Sequence, residues 1–248
     1  MAISWIVFAC VFGGALFGNF LRAVLPEHHL STESKDVVKL GMGLIATMTA
    51  LVLGLLIATA KDSYDTQRSG LTQVSVNVVF LDRAMAHYGP ETKEARDLLR
   101  SSFVGAIDQI WPEAGSRPAQ LAPTAAEGDA LYDKIQALSP QNEAQRSLQA
   151  KALSISIDIG QARWLMFQRT SSSIPVPFLV VVVFWLTIIF VSFGLFASPN
   201  ATVIAVLLLC ALSVAGAIFL LLELDTPFDG LIQISSAPLR NALAHLGQ

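Results

Sequence analysis

KLGMGLIATMTALVLGLLIATAK, residues 39–61, carries no charge between its two terminal lysines. Residues 40–60 therefore have the length, about 20 residues, that a helix needs to cross a hydrocarbon core. Gly43, Thr47, Ala50, Gly54 and Ala58 recur in this run at spacings of four, three, four and four. Those spacings lay small side chains down one helix face. Two roles fit such a stripe. In lipid, small residues let helix backbones approach closely. Around a wet axis, small and hydroxyl side chains keep a lumen open while apolar rings gate by dewetting. Periodicity alone favours packing and leaves the pore role open.

Three further runs pass the same length test: Ile3–Val24, Phe178–Ala197 and Ala201–Leu222. The polar link Ser198-Pro199-Asn200 makes the last two a tight antiparallel hairpin. The first run has no charged leader and no small-x-small cleavage site, so it is expected to stay as a helix rather than be removed as a secretory signal. Its Gly14-x-x-x-Gly18 pattern is a packing motif. The whole chain of 248 residues is 53% hydrophobic and only 14% charged, with a mean hydropathy of +0.57. Soluble domains run nearer 25% charged. A soluble enzyme and a disordered chain are excluded, and a net charge of −3 leaves no basic field for nucleic acid. The lipid bilayer is the first partner.

The expected organisation is all-α, with four transmembrane helices and a helical region between the second and third. Residues 1–61 hold transmembrane helices 1 and 2, 62–173 the helical region, 174–222 the hairpin and 223–248 a tail. Lys61, Arg68, Arg163, Arg169 and Arg240 near one membrane face outnumber Arg22, Lys35 and Lys39 near the other. This bias places the N-terminus, the middle region and the tail on the cytoplasmic side of a multi-pass cell-membrane protein.

Within 62–173, Leu71, Val74, Val78 and Leu81 prolong the second crossing as a helix. Pro90 with Glu91 and Glu94 opens another, whose apolar positions from Ala95 to Ile110 recur at three and four before Trp111-Pro112 closes it. Ser139-Pro140 is expected to start a third, with the serine as cap. Residues 112–124 read as loop. In the tail, SSAPLRNALAHL (235–246) suggests a short amphipathic helix bearing Leu239, Leu243 and Leu246.

No catalytic set can be assembled. His28 and His29 are adjacent, so they point in different directions, and no His-Glu-x-x-His spacing exists. Nothing near His87 completes a base-and-nucleophile pair. His245, the fourth histidine, lies in the tail. Cys10 and Cys210 sit in separate apolar runs, which provides neither a disulfide framework nor a thiolate metal site. No cofactor and no resident metal are expected. The second, third and fourth membrane runs lack the intramembrane acids and bases that relays and voltage sensors use. Glu223, Asp225 and Asp229 gather three carboxylates within seven residues at the last membrane exit. Hard cations favour such oxygens, but the spacing fits solvated acids at a helix end better than a calcium loop.

HHLSTESKDVVKLGMGLIATMTALVLGLLIATAKDSYD (28–65), LDRAMAHYGPETKEARDLLR (81–100) and LDTPFDGLIQISSAPLRNAL (224–243) resemble the bestrophin-like family of bacterial membrane proteins. The resemblance covers essentially the whole chain. It implies the arrangement of bestrophins: a homo-pentameric ion channel, four membrane helices, a cytosolic helical region between the second and third, and a pore lined by the second. In that picture the 43–58 stripe faces or adjoins the axis, and Lys39 and Lys61 ring its two mouths, leaning the pathway slightly toward anions, with small inorganic ions as the conducted partners. Asp62 and Asp65 oppose that lean. Two departures stand out: the second helix lacks the family's neck phenylalanines, and the carboxylates after the fourth helix are sparser than a calcium clasp. The competing reading is a membrane-anchored sensor or scaffold whose residues 62–173 bind a partner protein.

Overall fold

The computed structural model describes residues 2–25, 32–112, 125–168, 174–197, 200–228 and 230–247. Among them every regular element is helical: α1 (Ala2–Val24), α2 (Thr32–Tyr88), α3 (Lys93–Ile110), α4 (Ala125–Gln136), α5 (Glu143–Gln168), α6 (Val176–Phe196), α7 (Ala201–Leu224) and α8 (Ala237–His245), with one 3-10 turn at Pro90–Thr92. The helices fall into two compact units, Met1–Asp62 with Ser173–Asp225 and Ser63–Ser172 with Thr226–Gln248. α2 is a single 57-residue helix that contributes to both. α1, α2, α6 and α7 are long and apolar enough to cross a membrane. The chain is a multi-pass membrane protein.

In the first unit α1 is wedged by backbone contact. A methyl group built on Gly14 would press on the Thr187 and Val191 side chains, and one on Gly18 would run into the Val191 carbonyl. From the other side, one on Gly194 would collide with the Ala15 carbonyl. Three glycines thus let α1 and α6 meet backbone to backbone, the close approach that drives helix association where lipid is as apolar as leucine. Around this seam Val7, Val11 and Ala15 of α1 are buried with Val182, Leu186 and Phe190 of α6 and with Ala211 and Ile218 of α7. The Arg22 guanidinium donates to the Ala197 carbonyl just past α6, one of the carbonyls a helix end leaves unpaired. Asn200 caps α7 by accepting from the Val203 N–H at 2.8 Å.

The second unit is an ordinary apolar core. Leu71, Val74, Val78, Leu81 and Met85 of α2 pack with Leu99, Phe103 and Ile107 of α3, Leu131 and Ile135 of α4, Ala152 and Ile155 of α5, and Leu239 and Ala242 of α8. α4 is the helix that reading the sequence missed. Its signal is short, Leu131 and Ile135 one turn apart among charged residues, which is too little periodicity to stand alone. The start of α5 also differs from expectation. Ser139 does not cap it; the Gln145 N–H donates to Asn142 Oδ1 at 2.8 Å, and Gln145 Oε1 accepts from the Gln141 N–H at 2.7 Å. A reciprocal pair satisfies two free donors where a serine three residues earlier would reach neither. Gln149 of α5 then donates to the Ile135 and Leu138 carbonyls, both at 2.9 Å, and so closes the end of α4.

The tail is fastened at two points. Trp111 donates from Nε1 to the Ile234 carbonyl at 2.9 Å, and its ring meets Phe228 edge-on at 6.0 Å. Asp82, on α2 beyond the apolar run, accepts from Arg96 Nε at 2.7 Å and Nη2 at 2.9 Å and from the Gly247 N–H at 3.1 Å. One carboxylate therefore joins α2, α3 and the segment after α8. Its side chain is 5% exposed and that of Arg96 24%. Burial pushes the Asp82 carboxyl up, but the bonds from Arg96 and Gly247 and the nearby positive charges outweigh it and hold it below its ordinary value.

Two predictions test these fastenings. Gly18→Leu should lower stability in detergent by about 2–3 kcal/mol through overpacking, whereas Gly13→Leu, on an open face, should melt close to wild type. Asp82→Asn leaves Arg96 without its counterion and should cost roughly 2–3 kcal/mol, below the full cost for a buried pair because Arg96 is partly open. A depressed carboxyl stabilises fully above its unfolded pKa of about 3.9, and that stability is lost as pH falls through the lower folded value. Hydrogen exchange of α8 amides against pH should show this acid-side loss in wild type and not in Asp82→Asn.

Candidate functional site

The apolar part of α2 buries little. On one side Thr49, Leu56 and Ala60 are buried, with Met42, Ile45, Val52 and Leu53 half-buried beside them. These positions follow a seam of about 3.5 residues, the spacing of a helix that touches its own chain along one narrow line. Gly43, Thr47, Ala50, Gly54 and Ala58 are all exposed. At 100° per residue they span an arc of about 80°, centred roughly 150° from the packed seam. A methyl built on Gly43 or Gly54 would meet no atom within 4 Å. The two glycine motifs of the sequence thus part company. Gly14 and Gly18 are packed against α6, while the α2 stripe has no partner helix among the described residues of its own chain.

The chemistry of the stripe is quiet. Thr47 Oγ1 donates to the Gly43 carbonyl at 2.8 Å, so its proton is satisfied within the helix and its oxygen can still accept. Thr49 makes the same bond to the Ile45 carbonyl at 2.7 Å on the packed side. Leu44, Leu51 and Leu55 are also exposed and lie next to the stripe, so the uncovered surface is a small-residue groove with an apolar shoulder.

Both predicted lysines lie within the stripe's arc or at its edge, and both have acids nearby. Lys39 is 3.5 Å from Asp36, with both side chains exposed. Lys61 is exposed, and Asp65 follows one turn later on the same face. The Lys39 end thus carries one base and one acid, and the Lys61 end one base with two acids, Asp62 and Asp65. The contribution of Asp36 was missed in the sequence, although its spacing from Lys39 was there to be read.

The acidic group at the end of α7 is only partly in view. Glu223 is buried and Asp225 half-buried, while Asp229, like His28 and His29, lies outside the described residues. No three metal-donating side chains come together among the described residues. His87 and His245 are exposed at the ends of α2 and α8, and Cys10 and Cys210 are free.

A family model for the bestrophin-like domain matches residues 9–239. The chain belongs to the bestrophin-like family. Its fold is shared with several solved structures. A crystal structure of a membrane protein with a point substitution aligns at a TM-score of 0.68 and 13% identity over 100% of both chains. A bacterial bestrophin homologue from Klebsiella pneumoniae, also a point variant, aligns at 0.67 and 13% identity, over 96% of this chain and 98% of that one. A further structure of that homologue, phased on zinc, aligns at 0.65 and 12% identity, over 94% and 96%. At such identities the likeness establishes the fold. No curated protein sequence matches the chain.

Proposed function

We propose that this protein is the subunit of a homo-pentameric ion channel whose pathway is lined by α2. The observation that carries the reading is the uncovered stripe Gly43–Ala58, on the side of a membrane helix that the described residues of its own chain leave bare. A bare face of small residues needs either a neighbouring copy or water, and a ring of copies supplies both. Membership of the bestrophin-like family supports an ion channel rather than an enzyme.

In this reading the membrane span of the pathway carries no fixed charge, and charge acts only at its mouths. Lys39 and Lys61 lean the channel toward anions. Asp36 beside Lys39, and Asp62 and Asp65 after Lys61, keep that preference weak. Leu44, Leu51 and Leu55 contact either the adjoining helix or lipid, and rotating them inward would close the pathway by dewetting. Glu223, Asp225 and Asp229 remain a candidate cation contact at the end of α7. Both termini and residues 62–173 are assigned to the cytoplasmic side on the lysine and arginine count, and the membrane to a bacterial inner membrane on the likeness to a bacterial bestrophin homologue.

Native mass spectrometry and single-particle imaging of the detergent-solubilised protein should show a pentamer with an axial opening, and planar bilayers should show conductance. A monomer or dimer without such an opening would end this reading. Thr47→Lys gives a second test. A lysine at mid-membrane costs about 2.5–3.5 kcal/mol on insertion scales if it meets lipid or packed helix. If Thr47 faces water, the variant should assemble normally and shift the reversal potential further toward anions.

A further inference from the structure

The second unit contains a cavity of about 420 Å³, lined from α2, α3, α4, α5 and α8. Its walls are mostly apolar, with Phe103, Ile107, Leu131, Trp164 and Met166 among them. That volume and character are those of small-molecule sites, apolar cavities of about 300–1,000 Å³ with a few placed polar groups.

Two of the polar groups that line this cavity lack a hydrogen-bond partner. Several helical hydroxyls pair with the preceding turn, as where Ser75 donates to the Leu71 carbonyl at 2.8 Å and Ser101 to the Leu98 carbonyl at 3.0 Å, while Ser4 of α1 is buried without a partner. Ser102 of α3 and Ser156 of α5 both line the cavity, and the Oγ atom of each is buried without a hydrogen-bond partner. An unpaired buried hydroxyl costs about 1–3 kcal/mol. Two of them, from different helices on one apolar cavity, call for a molecule that brings hydrogen-bonding atoms with an apolar body. Asp129 and Arg163 also line the cavity, one of each sign, so it carries no net charge to select an ionic ligand.

We infer that this cavity is a binding site for an uncharged, largely apolar small molecule, held by hydrogen bonds to Ser102 and Ser156. The site lies entirely within residues 63–172 and 226–248, and its test does not depend on conductance.

The full-length protein in lipid nanodiscs is titrated with 1-naphthol, an uncharged aromatic alcohol, while its melting temperature is followed. Wild type should show a saturable rise. Ser102→Ala and Ser156→Ala should each weaken the apparent affinity by about 3- to 10-fold, the worth of one net hydrogen bond. Without the probe both variants should melt at or above wild type, because each loses an unpaired hydroxyl rather than a bond. A merely structural serine would give the reverse. Gly160→Leu starts from a position where an added methyl meets no atom within 4 Å and extends into the cavity wall, so it should abolish the rise. No rise in wild type would overturn the proposal, as would an equal rise in Gly160→Leu or unchanged affinity in both serine variants. So would an image of the intact particle with residues 113–124 or a neighbouring copy filling the cavity.

Discussion

Within a bilayer a leucine gains nothing by leaving lipid for another leucine, so helices there must be held by contacts lipid cannot match. The α1–α6 seam is such a contact. Gly14 and Gly18 on one helix and Gly194 on the other bring carbonyls and Cα atoms where side chains would stand. The neighbouring apolar cluster can be loose in detail because this seam fixes the helix positions. Arg22 on the Ala197 carbonyl holds the seam's end with a charge-assisted bond. Much of what else is buried in the first unit follows from that backbone approach.

The second unit obeys the opposite rule. Its core is built from leucine, isoleucine, phenylalanine and methionine, as expected where water drives burial. Position is then set by a few satisfied polar groups. Asp82 is the most consequential, since its two oxygens take three hydrogen bonds from two distant parts of the chain. A nonpolar residue there would bury as well but would accept no bond from Gly247 in the segment after α8. Gln149 and Asn142 do similar work at the ends of α4 and α5, and each acts through geometry that only the folded chain provides.

These two rules explain what sequence could and could not disclose. The four membrane helices were plain because hydrophobic length is a property of each segment alone. The prolongation of α2, the ends of α3 and the apolar side of α8 were readable from period and punctuation. α4 was hidden because two apolar residues do not make a period, and the α5 cap was misplaced because Ser139-Pro140 is the stronger local signal while Asn142 and Gln145 work as a pair. Of the candidate site, the residues of the stripe were visible but the side it faces was not. Spacing tells which residues share a face; only the position of the seam through Thr49, Leu56 and Ala60 tells whether that face is covered.

The comparison of two small-residue motifs carries the functional argument further than either alone. Both lie in apolar helices and both satisfy the same spacing rule, so a purely sequence-based packing account would treat them alike. In α1 every spaced glycine meets a backbone, and replacing it is blocked by an atom of this chain. In the α2 stripe Gly43 and Gly54 meet nothing among the described residues, while the packed line of the apolar run is on the far side. A glycine in a helix interior costs about 1 kcal/mol against alanine. In the proposed ring of copies, a neighbouring subunit or what passes along the face repays that cost.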